Sequence, residues 1–306
     1  MYSHYKLSLP NRQTKQLKVS GNYIISIYDT DNELVFSRKF MIYENLVTPG
    51  IAIKRSRDVS NIETTQTVDI EIVSGPQINN PLQTVKTLII QNSNLNTTIS
   101  NLKPQYTIGN KLIYRYIKET AFAGGNEFLF LETKDVRAAT SRVQSIALED
   151  IYQSYLYTDV TRKNLPYTYN PDINGQFKIV AIDRDDVAVE ADYVQVHFSL
   201  KYPELTNGES IYIYGNYNNY ALSDYNKMTL NIESGLYETN FKLKQGFYNY
   251  KYVIVNKNGD LNEGAISGDF WQTENNYKVL VYYRDLGARY DRIIGFNQVS
   301  STNISN

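Results

Sequence analysis

The sequence predicts an all-β protein of tandem β-sandwich domains. Three observations lead there. Bulky and polar residues alternate with a period of two in runs such as 211–215, 237–243 and 248–254, the pattern of strands with one buried face. Turn residues separate these runs: Asn216, Asn218 and Asn219, then Glu233-Ser234-Gly235, then Lys244-Gln245-Gly246. Gly235 and Gly246 offer the positive φ of tight hairpins. Finally, 28 of 306 residues are tyrosine against one tryptophan, and tyrosine is a strand former with an apolar body and a polar tip. The excess also fits a tyrosine-rich partner surface.

The strands follow in chain order. Residues 5–9, 21–28 and 33–43 alternate, with the polar turn 29–32 between the last two. Three strands close a sandwich poorly by themselves. The next unit, 47–190, holds strands at 51–54, 66–73, 83–91, 111–117, 127–131, 151–157 and 177–182. Gly75-Pro76, Asn79-Asn80-Pro81, Lys103-Pro104 and Gly124-Gly125 punctuate them. Residues 143–155 are ambiguous, since 147–152 can also form a short helix. Residues 190–200 open a last sandwich (191–306), 211–252 continue it, and 278–284 close it. Residues 300–306 are polar and expected to fray.

The totals exclude several function classes. The chain is long enough for sizeable cores. Its formal charge of −1 and lack of a basic tract argue against nucleic acid. Cysteine is absent, so thiol chemistry and disulfides are excluded. No apolar run reaches transmembrane length.

Catalytic signals are lacking. Of the two histidines, His4 and His197, the second lies in an alternating strand as a surface or packing residue. No nucleophile motif, phosphate-cradling glycine loop or metal-type histidine pair is present. Asp29, Asp31 and Glu33 lack the closing ligand of a calcium loop, and Asp183/Asp185/Asp186 reads as a solvated turn. The expectation is no catalytic residue, no metal and no cofactor. Gly124-Gly125-Asn126-Glu127-Phe128 stands out, because paired glycines before a strand permit a sharp bend or a close backbone approach. In the run 282–295, Tyr282, Tyr283, Arg284, Arg289, Tyr290 and Arg292 concentrate the residue types that carry interface energy.

Two resemblances extend this reading. The run Tyr214-Gly215-Asn216-Tyr217-Asn218-Asn219-Tyr220, with Met228, Gly235-Leu236-Tyr237, Leu243, Gly246-Phe247-Tyr248 and Tyr250-Lys251-Tyr252, resembles the early-set immunoglobulin-like fold of carbohydrate-binding modules. It implies immunoglobulin-like sandwiches. Sugar-binding members usually carry tryptophan where this chain has Tyr220, so the match implies a fold more than a ligand. A carbohydrate-binding role stands as the alternative, and it requires Tyr217 and Tyr220 exposed and coplanar.

The second resemblance spans the chain in order. Its stretches are Tyr2-Ser3-His4-Tyr5, Leu9-Pro10-Asn11 and Ser20-Gly21-Asn22-Tyr23; the Gly124–Phe128 motif with Thr133-Lys134-Asp135 and Arg137; then Tyr157, Asp159, Arg162 and Pro166-Tyr167. Asp172-Ile173-Asn174-Gly175, Ala191-Asp192-Tyr193-Val194, Gln272-Thr273-Glu274-Asn275, Val281-Tyr282-Tyr283-Arg284 and Arg289-Tyr290-Asp291-Arg292 complete it. Together they resemble the type IX secretion system plug protein family of Bacteroidetes-type bacteria. The resemblance implies a non-catalytic, monomeric, all-β periplasmic protein at the inner face of the outer membrane. Its partner would be the large outer-membrane β-barrel translocon, whose periplasmic opening it binds and seals. It also implies that residues 1–46 are the C-terminal strands of a first sandwich that begins upstream. The expected translocon contacts are Tyr282, Tyr283, Arg284, Arg289, Tyr290 and Arg292, then Tyr214, Tyr217 and Tyr220.

Overall fold

The computed structural model describes residues 4–75, 78–182 and 184–304. The protein is all-β. Two sandwiches and an N-terminal ribbon account for its strands.

In the C-terminal sandwich one sheet carries Leu129–Glu132, Phe177–Ile179, Ser210–Tyr214, Gly246–Val255 and Leu261–Asn262. The facing sheet carries Val143–Leu148, Tyr152–Leu156, Asp159–Val160, Tyr193–Lys201, Thr229–Asn231 and Leu236–Lys244. Alternation sets which side chains meet. On Tyr193–Lys201, Val194, Val196, Phe198 and Leu200 point inward and are buried. They pack on Tyr248, Tyr250, Tyr252 and Ile254 of the opposite sheet, with the Phe198 and Tyr250 rings edge-to-face at 5.3 Å. Strand Gly246–Val255 is buried on both faces, so its second face, bearing Asn249, Lys251 and Val253, must be covered by something else.

The N-terminal sandwich pairs one sheet of Val85–Gln91, Ile99–Leu102, Asn276–Tyr283 and Arg292–Ser300 with another of Gly50–Arg55, Thr65–Val73, Tyr106–Ile108, Lys111–Tyr114 and Ala121–Ala123. Val68, Ile70, Ile72, Ile89, Tyr114, Tyr277 and Val279 fill its core. The ribbon Gly21–Tyr28/Leu34–Ile42 stands at the end of this sandwich. Its base docks on the outer sheet face, where Met41 packs against Ile90, Leu280 and Ile293.

Several expectations need correction. The last hairpin does not close the last sandwich: Tyr277–Tyr283 pairs with Val85–Gln91. Conversely, Leu129–Glu132 and Phe177–Ile179 pair with Gly246–Val255. The cores therefore do not divide the chain at 190. The N-terminal core takes residues from 47–122 and 277–294, and the C-terminal core those from 131–266. Strand partners are chosen by shape and register across space, which period-two alternation does not encode.

The ambiguous stretch 147–152 is a hairpin and not a helix, Leu148 pairing with Tyr152, and residues 5–9 form no strand. Residues 81–84 make a helical turn before the strand expected at 83–91. Gly246 needs no positive φ; a side chain there would strike the Lys178 carbonyl at 2.5 Å. Asp29 closes its turn by accepting the amides of Asp31 and Glu33. In the other acidic turn Asp183 lies outside the described residues, as do Tyr2, Ser3, Pro76, Ser305 and Asn306 from other stretches named above.

Candidate functional site

Tyr282, Tyr283, Arg284, Arg289, Tyr290 and Arg292 lie at one end of the N-terminal sandwich, on its last hairpin and the loop of that hairpin. Arg284, Arg289 and Tyr290 are exposed, and the other three are half-buried. Most already serve the fold. Arg284 clamps Asp291 through two hydrogen bonds of 2.7 and 3.0 Å. Arg292 makes a bidentate pair with Glu44, and Ser20 donates to the same carboxylate at 2.7 Å. The Tyr282 hydroxyl donates to Asn22 at 2.8 Å. The hairpin therefore anchors the N-terminal ribbon, and the two together form one end of the molecule.

Tyr214, Tyr217 and Tyr220 are elsewhere. Tyr214 and Tyr220 are buried, with rings at 86° to one another. Tyr217 is half-buried, stacked on Phe241 and edge-on to Tyr248. Their expected role as surface contacts is corrected by this burial, and with Tyr220 buried the exposed Tyr217/Tyr220 platform that sugar binding requires is not formed. Their polar tips face inward for a reason: Tyr220 donates to the Asn92 carbonyl at 2.7 Å, and Tyr214 donates to Glu263. The Tyr220 bond joins the two sandwiches, and Glu263 in turn accepts from Asn94 of the N-terminal sandwich at 2.9 Å. His197 also serves packing. It stacks on Tyr155 at 4.2 Å, its Nε2 lies 2.8 Å from Gln153, and burial pushes its pKa down.

The seam between the sandwiches is where the Gly124–Phe128 motif acts. The chain leaves the N-terminal sandwich through this motif and returns through residues 268–275, and the two crossings run against each other. Phe270 N donates to the Gly125 carbonyl at 2.8 Å, Thr273 Oγ1 to the same oxygen at 2.8 Å, and Asn275 Nδ2 to the Gly124 carbonyl at 2.8 Å. Gln66 ties the return crossing to the N-terminal sandwich through the Trp271 and Thr273 carbonyls, both at 2.7 Å. Asn96 donates to the Tyr220 carbonyl at 2.7 Å. Buried backbone groups must be paired wherever irregular chain crosses a junction, and these amide side chains pair them.

Charged groups lie in the same seam. Glu127 is almost fully buried. Its Oε1 accepts from Tyr167 and from Glu274 N, while Oε2 has no partner. Arg162 donates to the Glu127 carbonyl at 2.7 Å. Burial pushes the Glu127 pKa up to about 7, the Tyr167 hydrogen bond opposing it. On the second face of strand Gly246–Val255, Lys251 donates to Glu263 at 2.7 Å. Asp172 and Asp269 stand near, both raised by burial. Among the described residues no group of three or more His, Cys, Asp or Glu is disposed to hold a metal ion.

The Glu127 shift has a measurable consequence. The folded chain keeps this proton to about pH 7, whereas an ordinary glutamate releases it near 4.5. Between these limits the folded state binds more protons than the unfolded state, so stability falls as pH rises. Glu127→Gln keeps an acceptor for Tyr167 and Glu274. It is expected to flatten the stability profile between pH 4.5 and 7 and to gain up to about 3 kcal/mol at pH 7. Urea melts at several pH values measure it, and an unchanged slope refutes the assignment.

Glu127 was legible as part of a motif. Lys251 had one signal, a lysine inside an aromatic strand, and Glu263, Asp269 and Gln66 had none.

No curated protein matches the chain. A crystal structure of a hypothetical protein from Parabacteroides merdae ATCC 43184 is similar throughout: TM-score 0.90 and 33% identity, over 95% of this chain and 74% of that one. Residues 1–44, which contain the ribbon, match the family model of the type 9 secretion system plug protein 1st domain. The chain belongs to the type IX secretion system plug protein family and has a role in type IX secretion.

Proposed function

We propose that the protein is a non-catalytic periplasmic plug that binds the type IX outer-membrane translocon and seals its periplasmic opening. One observation carries this beyond family membership. The family-matched ribbon and the Tyr/Arg hairpin are bolted together by Arg292–Glu44 and Tyr282–Asn22, so both candidate surfaces lie at one end of the molecule. That end exposes Ile24, Phe36, Tyr43, Leu286 and Tyr290 beside Arg284 and Arg289. Exposed apolar groups of this density mark interaction surfaces, and aromatic residues and arginine are enriched in interface cores. The hydrogen-bonded seam behind it suits a body that must close a pore without deforming.

The test is affinity purification of the tagged protein from its native outer membrane. The translocon barrel is expected to co-purify, and deletion of the protein to make the outer membrane leaky only while the barrel is present. Arg289→Glu with Tyr290→Ala is expected to lower recovery of the barrel at least tenfold, a loss of hot-spot size, with the melting temperature unchanged. Undiminished recovery rules out this end as the contact surface. Absence of any barrel, with retention on an α-glucan column, would instead support a carbohydrate-binding role at some other face.

A further inference from the structure

We propose that Lys251 and Glu263 are a self-modification site, where the lysine amine condenses with the glutamate carboxyl to form an intramolecular amide cross-link. The geometry is that of an acyl acceptor held against a nucleophile. Lys251 Nζ lies 2.7 Å from Glu263 Oε2. The other oxygen, Oε1, accepts from Asn94 Nδ2 at 2.9 Å and from the Tyr214 hydroxyl. These two donors occupy the place of an oxyanion hole, where charge collects when an amine adds to a carboxyl carbon.

The surroundings favour the neutral reactants. Lys251 Nζ sits 4.8 Å from the centre of the Phe128 ring and 5.9 Å from that of Tyr214. Burial pushes the Lys251 pKa down and the Glu263 pKa up. Free amine and protonated carboxyl are therefore closer in energy than in water, and only this pair can condense. Besides Glu263, Asp269 and Asp172 favour the charged lysine, and Arg162 opposes them.

The step balances without a co-reactant. The Lys251 nitrogen forms a bond to Glu263 Cδ, and the developing negative charge rests on Oε1 between Tyr214 and Asn94. One amine proton passes to the protonated Oε2, the Cδ–Oε2 bond breaks, and water leaves. A cleft of about 720 Å³, lined by Glu263 and Asp269 among others, opens at the site to take the water. The product ties the central strand Gly246–Val255 covalently to the loop ahead of the helical turn Gly264–Ser267. Through Asn94 it also fixes the seam. A covalent tie there resists forced unfolding beside a pore that passes cargo, in a chain with no cysteine for disulfides.

Intact mass measurement of the full folded chain under denaturing conditions tests the proposal. The expected mass is one water below that of the sequence. Digestion is expected to yield the Lys251 peptide joined to the Glu263 peptide. Lys251→Met and Glu263→Ala should each restore the full mass, and Tyr214→Phe should leave a substantial unlinked fraction. The full sequence mass in the unmutated chain overturns the proposal regardless of how the variants fold. So does a water deficit that survives both substitutions.

Discussion

Replacing Asp159 with alanine is expected to cost about 3–5 kcal/mol, the range for stripping one partner from a buried charged network. Asp159 is buried and accepts three side chains. Arg142 pairs with Oδ1, and the Tyr250 and Tyr252 hydroxyls both donate to Oδ2 at 2.8 Å. The two tyrosines belong to one sheet of the C-terminal sandwich, while Asp159 belongs to the other. The carboxylate is therefore the polar tie across an otherwise apolar core. Without it, two buried hydroxyls lose their acceptor and a partly buried guanidinium keeps only the Tyr250 hydroxyl at 3.2 Å, and each such loss is expensive. Arg142 Nε already lacks a partner. Denaturant unfolding measures the effect. Asp159→Asn should recover part of the loss by keeping an acceptor, and a variant within 1 kcal/mol of the unmutated protein would show that the tie does not matter.

A second large effect is expected at the seam. A Cβ on Gly124 would lie 2.1 Å from the Phe270 carbonyl oxygen, a backbone atom that cannot swing away. Gly124→Ala must push apart the two crossings that join the sandwiches. It would also break the Asn275–Gly124 and Phe270–Gly125 hydrogen bonds. The expected cost is on the order of 2–4 kcal/mol, or roughly 5–10 °C in melting temperature. Small-angle scattering should show a looser arrangement of the sandwiches. Gly75→Ala is the control, since nothing lies within 4 Å of a Cβ there. A Gly124→Ala protein with unchanged melting and scattering would mean that the crossings tolerate separation.

These two residues show what kind of information each level held. Alternation identified most of the long strands, Gly21–Tyr28 to the residue, because half-burial writes a period of two into the sequence. The paired glycines allowed a close backbone approach, since any Cβ on Gly124 would lie 2.1 Å from the Phe270 carbonyl oxygen. The buried Tyr214 and Tyr220 were mistaken for surface residues, because tyrosine suits both a core with a polar outlet and an exposed interface. Asp159, Lys251 and Glu263 looked like ordinary charged residues, since what makes them unusual is the partners brought to them from 17, 12 and 169 positions away.

By itself the sequence determined the all-β class, most strand positions and the place of the Gly124–Phe128 bend, because each of these is a local property of the chain. Only the tertiary structure decided that the last hairpin completes the N-terminal sandwich. It alone decided that Tyr214 and Tyr220 are buried at a seam. It also placed a buried lysine against a glutamate. Pairing and burial depend on which surfaces meet in space, and no local pattern carries that.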